Sequence, residues 1–306
     1  MMAKENPKIA VLMATYNGSK WLAVQIDSIL QQIGVDLRLF VSDDNSTDGT
    51  LEYLKRLAVS DSRLVVLPKT ERMASAGKNF YRLIRDVDVS GFDYVAFADQ
   101  DDIWNTDKLS SHVDLIRAND AEAVSSNVMA FWPDGRQKLI FKSQPQRGYD
   151  FLFESAGPGC TFLMTPWLVG RVKHQLITNE AAQEVTMHDW LVYAICRAYD
   201  KCWIVDPTPS IQYRQHQNNV IGANAGLKAA LARLKKINNS WYRHEVALIS
   251  RIVASINPGV RFLKFQKIIQ SNSILDQFRL IAFVLEGRRK LSDRLVLILS
   301  VLLFIF

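Results

Sequence analysis

The most constraining feature of this sequence is an apolar run that ends abruptly in acidic residues. Tyr94–Ala98 contains only apolar and aromatic side chains, and Asp99, Asp101 and Asp102 follow it directly. An uninterrupted apolar run bounded by polar residues is typical of a strand buried on both faces. Three carboxylates at the end of such a strand repel one another unless a cation lies among them. The pattern therefore indicates a metal site, although Asp is also common in solvated turns and helix caps.

Strand-like and helix-like patterns alternate through the first hundred residues. Polar turns at residues 15–18 and 42–50 follow the first two apolar runs, and Ser46 or Thr47 is expected to cap the helix after the second run. Alternation at this spacing predicts an α/β fold with a mainly parallel central sheet. Ligands bind at the carboxyl edge of such a sheet, where both turns would lie. The first three strands are predicted at residues 9–14, 37–41 and 64–67.

The layered pattern continues beyond the acidic cluster. A glycine-rich turn at residues 157–160 is expected to enter a strand, where glycine either permits close approach to a sugar or acceptor or forms a plain bend. Residues 133–135 carry the turn signal Pro-Asp-Gly. The other predicted segments are a helix ending at Ala118, a strand over residues 121–128, a loop or hairpin over 132–147 and a strand over 202–205.

The positive charge of the chain is concentrated in its C-terminal part. The net charge is +6, but residues 226–306 hold 14 Lys and Arg against 4 Asp and Glu, which leaves 23 against 27 in residues 1–225. A body with more acidic than basic residues argues against a nucleic acid partner.

Cysteine usage and the N-terminus favour a cytoplasmic protein. Cys160, Cys196 and Cys202 form no Cys-x-x-Cys pair, so reduced thiols with a packing role are expected. The first apolar run, residues 9–14, is too short for the core of a signal peptide.

The order of three motifs resembles a known family. Residues 14–18, residues 42–50 and Asp99-Gln100-Asp101-Asp102 resemble the nucleotide-sugar domain of family 2 glycosyltransferases with the Rossmann-like GT-A fold. The resemblance implies a GT-A domain over residues 1–222 and a separate basic and apolar helical region over residues 223–306. Residues 103–109 and 213–219 resemble the corresponding segments of rhamnosyltransferase-like members.

The resemblance also implies roles for individual residues. Acids of the second motif contact the base and ribose, and the Asp-x-Asp pair contacts ribose and holds Mg²⁺ or Mn²⁺ on the diphosphate. Asp101 is the implied metal ligand, and Lys78 is a candidate for the base or phosphates, although a lysine at a helix start usually faces solvent. The other implied nucleotide-sugar residues are Thr15, Asn17, Asp43, Asp44, Asp99 and Gln100.

Asp189 is the candidate catalytic base. It lies in His188-Asp189-Trp190 at the start of a predicted helix, where the family carries an acidic residue that deprotonates the acceptor hydroxyl. The resemblance implies an inverting single displacement. The alternative to a catalytic role is that Asp189 is a helix N-cap, which stabilises a helix by about 1 kcal/mol.

Two further residues come from the segment around residues 213–219. Arg214 could neutralise the leaving diphosphate. His216 could complete the metal shell, although a lone histidine is usually not a ligand.

The last eighty residues are predicted to contact a membrane surface. Residues 227–237 predict a basic amphipathic helix, and Trp241 and Tyr242 follow at a position suited to an interface. Residues 295–306 carry no charge, but a helix of that length covers only about 18 Å of a core roughly 30 Å thick. The segment should therefore dip into one leaflet or pack against the body. Its basic flank fits the inner face of the plasma membrane.

These observations favour a metal-dependent hexosyltransferase that is peripheral on the cytoplasmic face of the membrane. The donor implied by the resemblance is dTDP-L-rhamnose, or another dTDP- or UDP-sugar, and the acceptor is a growing O-antigen-like polysaccharide on a lipid carrier. A sugar nucleotidyltransferase and a non-catalytic membrane-docking partner are the alternatives. A processive polysaccharide synthase is disfavoured because no segment is long enough to span a bilayer.

Overall fold

The computed structural model describes residues 5–216, 241–271 and 273–306. Strands and helices alternate in the first part: β1 (Lys8–Thr15), α1 (Ser19–Leu30), β2 (Asp36–Asp43), α2 (Thr50–Ser60), β3 (Leu64–Val66), α3 (Ala76–Asp86) and β4 (Tyr94–Ala98). Then come β5 (Ile103–Trp104), α4 (Lys108–Asn119), β6 (Ala123–Ser126), β7 (Val128–Phe131), β8 (Gln137–Ile140), β9 (Leu163–Met164), α5 (Pro166–Thr178), α6 (Glu180–Glu184), α7 (His188–Ala198), β10 (Trp203–Asp206) and β11 (Ile211–Arg214). The C-terminal part contains α8 (Trp241–Ile256), α9 (Val260–Gln270), α10 (Ile274–Val284) and α11 (Leu291–Leu302).

Within the described residues, the central sheet has seven strands in the order β10-β6-β9-β4-β1-β2-β3. All neighbouring strands run parallel except β9, which is antiparallel to β4 and β6. β1 pairs with β2 from Lys8 and Asp36 to Thr15 and Asp43, so the polar turns after both strands meet at one edge. The prediction of an α/β fold with a mainly parallel sheet is confirmed.

A smaller sheet brings a late strand to the same edge. Its order is β5-β11-β7-β8, and β11 pairs antiparallel with β5 directly after the acidic turn. Arg214, the last residue of β11, is thereby held beside Asp101 and Asp102.

The strand predicted over residues 121–128 is confirmed as β6 except at its end, where Val128 already belongs to β7 in the smaller sheet. The break falls at Asn127, whose side chain donates to Pro207 O at 2.7 Å and accepts from Lys142 N and Ser143 N. The predicted hairpin after it is confirmed as β7–β8, and Gly135 at its turn has φ 84°.

The predicted N-cap of the second helix is wrong. α2 begins at Thr50, and its N-cap is Gly49 at φ 89°. Ser46 and Thr47 lie in the preceding turn, where Ser46 contacts Asp43 and Thr47 N donates to Asn17 Oδ1.

The helices α8 to α11 pack on the hydrophobic core of the α/β body. Val246, Ile249 and Val253 of α8 are fully buried in the core cluster that includes α7. Tyr242 stacks on Trp190, with ring centroids 5.8 Å apart, and its hydroxyl donates to Phe153 O at 2.6 Å. Tyr242 is therefore partly buried against the α/β body, and a position at a membrane interface stays a prediction for Trp241 and Tyr242.

The C-terminal apolar segment has one packed and one exposed side. Leu297 and Val301 of α11 are buried, whereas Leu295, Leu299 and Leu302 on the opposite side are exposed. None of the helices in the described ranges is both long and apolar enough to cross a membrane. The predicted helix over residues 227–237 and the predicted domain boundary after residue 222 lie outside the described residues.

The three cysteines are free. Cys160 and Cys196 are buried, which fits the expected packing role, but Cys202 is exposed and does not pack in the core.

Candidate active site

The turns after β1, β2 and β4 form one hydrogen-bonded unit. Tyr16 N donates to Gln100 Oε1 at 2.9 Å, and Gln100 Nε2 donates back to Tyr16 O at 3.0 Å. Asn17 N donates to Ser46 Oγ at 2.8 Å, and Asn17 itself has φ 48°. Predicted site residues on three separate turns are thereby brought together at the carboxyl edge of the sheet.

Asp43 holds this unit together from inside. Its carboxylate accepts from Thr15 Oγ1 at 3.1 Å and from Ser46 N at 2.9 Å, and it is 7% exposed. Asp48, in the same turn, accepts from Ser19 N and Thr50. Although burial opposes the change, these hydrogen bonds lower the pKa of Asp48 to about 2. The turn is thus built around charged acceptors of backbone N–H groups.

Asp44 lies under a second loop. Its two carboxylate oxygens accept from Met73 N and from Ala74 N, the latter at 2.9 Å. Ala74 has φ 62°, an unfavourable conformation for a residue with a side chain. The carboxylate predicted to contact a base therefore already carries two backbone partners, and each oxygen retains a further lone pair.

An aromatic platform beside Asp44 was not among the predicted residues. The ring of Tyr16 is 40% exposed, and the guanidinium of Arg72 lies 4.6 Å from its centroid. Such a pair can stack a planar ligand. An aromatic residue inside a polar turn is the signal that could have indicated Tyr16. Lys78 is exposed in the first turn of α3, whose N-cap is Ser75.

The acidic turn meets the end of β11. Asp101 Oδ2 lies 2.6 Å from His216 Nε2, although the two residues are 115 positions apart. Arg214 Nε donates to Asp101 O at 2.8 Å, and its guanidinium lies between the rings of Trp21 and Phe131, 4.4 and 4.6 Å from their centroids. The structure therefore brings together residues that the sequence analysis had grouped only by analogy.

A buried lysine lies beneath the acidic turn. Lys108 is 1% exposed, and its Nζ donates to Cys160 O at 2.8 Å and lies 3.2 Å from the centroid of the Trp104 ring. Burial lowers the pKa of Lys108 to about 7, whereas Asp102 and Asp99 oppose the shift. The sequence analysis did not identify Lys108. The available signal was its position four residues after Trp104, a spacing that could have predicted the contact between the two side chains.

The electrostatics of the turn suit a divalent cation. Burial raises the pKa of Asp99 to about 7, and the charge of Asp101 adds to the rise. A cation bound near these carboxylates would relieve their repulsion. Asp101 offers a carboxylate oxygen, a ligand that suits Mg²⁺ or Mn²⁺, and the imidazole of His216 lies directly beside it.

A second group of ligand atoms fits such an ion less well. Atoms of Asp99, Asp102 and Cys160 lie within 4.8 Å of one another. Burial raises the pKa of the Cys160 thiol well above its usual range. A protonated thiol is a poor ligand for a hard cation, so the carboxylates of the acidic turn, and not Cys160, are the groups that suit such an ion.

Asp189 lies on the other side of the site. It is the second residue of α7 and 8% exposed, and the N-cap is Met187, so the N-cap interpretation of Asp189 is wrong. Its Oδ1 accepts from Trp190 N at 2.7 Å. Burial raises the pKa of Asp189 to about 6, opposed by this N–H group, by the charge of Lys142 and by the hydroxyl of Ser155. A carboxylate with such a pKa is suited to accept a proton near neutral pH.

Asp189 acts electrostatically on the acidic turn, because its charge contributes to the raised pKa of Asp99. Gly159, the residue before Cys160, packs against α7, and a Cβ atom there would approach His188 Nε2 to 2.5 Å and Asp189 Cβ to 3.4 Å. Close packing therefore requires glycine at this position.

Comparison with known proteins identifies relatives of the whole chain. The family model described as glycosyl transferase family 2 matches residues 10–170, more than half of the chain. The dTDP-rhamnosyl transferase RfbG of Shigella flexneri is 40% identical over 296 residues, which cover 96% of this chain and 100% of that protein. The UDP-Glc:α-D-GlcNAc-diphosphoundecaprenol β-1,3-glucosyltransferase WfgD of Escherichia coli is 28% identical over 50% of this chain and 57% of its own length.

Solved structures share the fold. TarS of S. aureus, residues 1–349 in complex with UDP, has a TM-score of 0.55 at 15% identity and covers 90% of this chain and 79% of its own. The mannosyltransferase PcManGT of Pyrobaculum calidifontis, in complex with GDP-Man and Mn²⁺, has a TM-score of 0.53 at 17% identity, with coverages of 99% and 81%. At these identities the likeness concerns the arrangement of helices and strands.

Proposed function

Because the chain belongs to glycosyl transferase family 2, we propose that it transfers L-rhamnose from dTDP-L-rhamnose to a growing O-antigen-like polysaccharide on a lipid carrier. The observation that carries this proposal is the near full-length similarity to a dTDP-rhamnosyl transferase at 40% identity. The chain is a hexosyltransferase with a GT-A fold, so the sugar nucleotidyltransferase and the non-catalytic partner are set aside.

The donor binds at the joined turns after β1, β2 and β4. Asp44 and Asp99 accept hydrogen bonds from the base and from the 3′-hydroxyl of the deoxyribose, and Gln100 fixes the backbone of Tyr16 beside them. Lys78 is exposed near the Asp44 loop and contributes positive charge to the donor side. The remaining donor-side residues in this proposal are Thr15, Asn17 and Asp43.

Asp101 and His216 hold Mg²⁺ or Mn²⁺, which would offset the charge of the diphosphate. Arg214 lies next to this pair and faces the leaving diphosphate with a guanidinium oriented by two aromatic rings. These residues favour departure of the nucleotide because they stabilise the negative charge that develops on it.

Asp189 accepts the proton of the acceptor hydroxyl. As that oxygen attacks the anomeric carbon, the O–H electrons form the new glycosidic bond and the proton moves to Asp189, while the bond between sugar and diphosphate breaks. The raised pKa of about 6 leaves the carboxylate mainly ionised at neutral pH and basic enough to accept the proton. The displacement inverts the anomeric centre.

The C-terminal helices dock on a membrane surface. The outer sides of α10 and α11, which pack against each other, form an apolar face of exposed side chains. A soluble monomer rarely exposes so large an apolar patch. Exposed Arg and Lys side chains on and beside these helices favour anionic lipids, so we place the protein on the cytoplasmic leaflet. The apolar face consists of Ile274, Leu275, Phe278, Leu285, Leu291, Leu295, Val296, Leu299, Leu302, Leu303 and Phe304. The cations are Arg261, Lys264, Lys267, Arg279 and Lys290.

A donor panel tests the function directly. Purified full-length protein is incubated with a lipid-linked acceptor, with Mn²⁺ or Mg²⁺, and with dTDP-L-rhamnose, UDP-glucose or GDP-mannose in parallel. We expect transfer from dTDP-L-rhamnose alone and loss of transfer with a chelator. Transfer only from another donor, or formation of dTDP-sugar from dTTP and a sugar phosphate, would contradict the proposal.

A further inference from the structure

The loop between α10 and α11 is anchored deep in the α/β body. Arg289 of this loop is 6% exposed, and its guanidinium donates to three backbone carbonyls: those of Ser155, Ala156 at 3.2 Å and Lys142 at 3.3 Å. Its backbone N donates to Glu154 Oε1 at 2.6 Å. A single side chain therefore joins residues that are more than 130 positions apart in the sequence.

The charge of Arg289 is balanced inside the protein. Its Nε lies 3.6 Å from Asp150 Oδ2 and 3.4 Å from Glu154 Oε1. Asp150 is fully buried and also pairs with Arg197 at 3.3 Å. Buried charges persist only when they are paired and hydrogen-bonded. The guanidinium is thus fixed in position rather than free to sample solvent.

The segment held by Arg289 forms the wall beside Asp189. A Cβ atom at Gly159 would lie 3.4 Å from Asp189 Cβ, and one at Gly157 would lie 3.8 Å from Lys142 Cβ, so the chain that follows residues 154–156 packs against both. The hydroxyl of Ser155 and the charge of Lys142 both lower the pKa of Asp189. Trp190, the next residue, donates from its indole to Phe151 O at 2.8 Å. Among the described residues outside α7, the charge of Asp189 also raises the pKa of Asp99 in the acidic turn and of Tyr81 in α3. Within α7, His188 stays neutral because burial lowers its pKa to about 3.

We propose that Arg289 is a positioning residue for the catalytic base: it fixes residues 154–156 and Lys142 beside Asp189, so the acceptor side is complete only while the loop between the two apolar helices is docked. This inference rests on the proposed transfer reaction and on the role of Asp189 in it. It links the apolar face to the reacting groups, since the same loop joins the two helices that form that face.

The test compares Arg289→Met with Arg136→Met in the full chain. Arg136 lies at the turn between β7 and β8, is exposed and forms an ion pair with Asp134, so it controls for loss of a paired arginine outside the site and the apolar face. For Arg289→Met we expect kcat to fall between about ten- and a hundredfold, because small misplacements of catalytic groups have effects of that size. The KM for dTDP-L-rhamnose and the binding of dTDP with Mn²⁺ should stay within about twofold. The acid limb of the pH–rate profile should move to higher pH.

Two additional variants separate positioning from stability. Arg289→Lys keeps a charge near Asp150 and Glu154 but cannot donate to three carbonyls, so it should recover much of the lost melting temperature without recovering kcat. Ser155→Ala removes one group acting on Asp189 and provides the same pH readout if Arg289→Met does not fold. Full kcat in Arg289→Lys, or wild-type kcat and acid limb in either Arg289→Met or Ser155→Ala, would overturn the inference. If the wild-type protein transfers no rhamnose at all, the proposed function fails instead.

Discussion

The donor side and the acceptor side of this site are built in different ways. On the donor side, short polar turns exchange hydrogen bonds with one another at the ends of neighbouring parallel strands, as Tyr16 and Gln100 do. On the acceptor side, Asp189 sits against a segment whose backbone is held by Arg289, 134 residues away from Ser155. Motifs of a few residues therefore define where the donor binds, whereas the acceptor side depends on long-range contacts. Changes on the two sides should accordingly have different kinetic consequences.

The largest effect is expected from Asp189→Asn. Loss of the base should lower kcat by about 10²- to 10⁴-fold because no group remains to accept the proton in the transition state. Binding of dTDP-L-rhamnose with Mn²⁺, measured by calorimetry, should stay unchanged. Asp114→Asn, on the exposed side of α4, is the control. If folded Asp189→Asn transferred sugar at a rate within a few-fold of wild type, Asp189 would not be the catalytic base.

Asp101→Asn and His216→Gln should affect the donor side instead. Each variant removes one partner of the contact between Asp101 Oδ2 and His216 Nε2, which lie 2.6 Å apart. The affinity for the metal should fall by about ten- to a hundredfold, because loss of an outer-shell partner alone has an effect of that size. Thermal-shift titrations with Mn²⁺ and dTDP provide the measurement, and His174→Gln at an exposed position is the control. If both variants kept wild-type affinity for Mn²⁺ and lost only kcat, the assignment of Asp101 and His216 to metal binding on the donor side would be wrong.

The apolar face gives the next effect in size. The double change Leu295→Glu and Leu299→Glu places two charges on the exposed side of α11, where each Leu is more than half exposed. Binding to anionic vesicles, followed by flotation, should fall by at least about tenfold because buried leucine side chains contribute strongly to such binding. Val59→Glu on α2, where Val59 is 90% exposed, is the matched control. Equal losses in both variants would argue against a specific docking face.

The smallest effect is expected from Lys142→Met. The charge of Lys142 lowers the pKa of Asp189, so its removal should raise that pKa above about 6 and move the acid limb of the pH–rate profile upward. At pH 6 the base would then be protonated in more molecules, and the rate at that pH should fall about a few-fold. Lys138→Met, exposed on β8, should leave the profile unchanged. A shift of the acid limb to lower pH in Lys142→Met would show that Lys142 does not lower the pKa of Asp189.

Much of the fold follows from local patterns in the sequence. β1, β2 and β4 are predicted because their apolar runs end in polar turns, and the structure confirms them within a few residues. β9 is harder to predict, because it has only two residues and runs antiparallel between two longer strands. The break at Asn127 was missed because a side-chain hydrogen-bonding pattern, and not a change in hydrophobicity, separates β6 from β7.

Much of the candidate site was likewise accessible from sequence, but its supporting residues were not. Asp101 and His216 were both named, and they lie together. Lys108 and Arg289 were not, because a buried cation in a sequence looks the same as a solvated one. Only the tertiary structure reveals that Lys108 donates to Cys160 O in the interior and that the guanidinium of Arg289 donates to several backbone carbonyls. Burial of a charged residue results from the whole fold, and no short motif encodes it.

The contact between Asp44 and the backbone of Met73 and Ala74 has a consequence for selectivity. A thymine or uracil N–H that bonds to Asp44 uses a remaining lone pair of a carboxylate that already accepts from these two amides, so its hydrogen bond is weaker than one to an unshared carboxylate. The net value of a single exchanged hydrogen bond is only about 1 kcal/mol. Discrimination between nucleobases at this position should therefore be weak, and a donor would be chosen mainly by its sugar and phosphates.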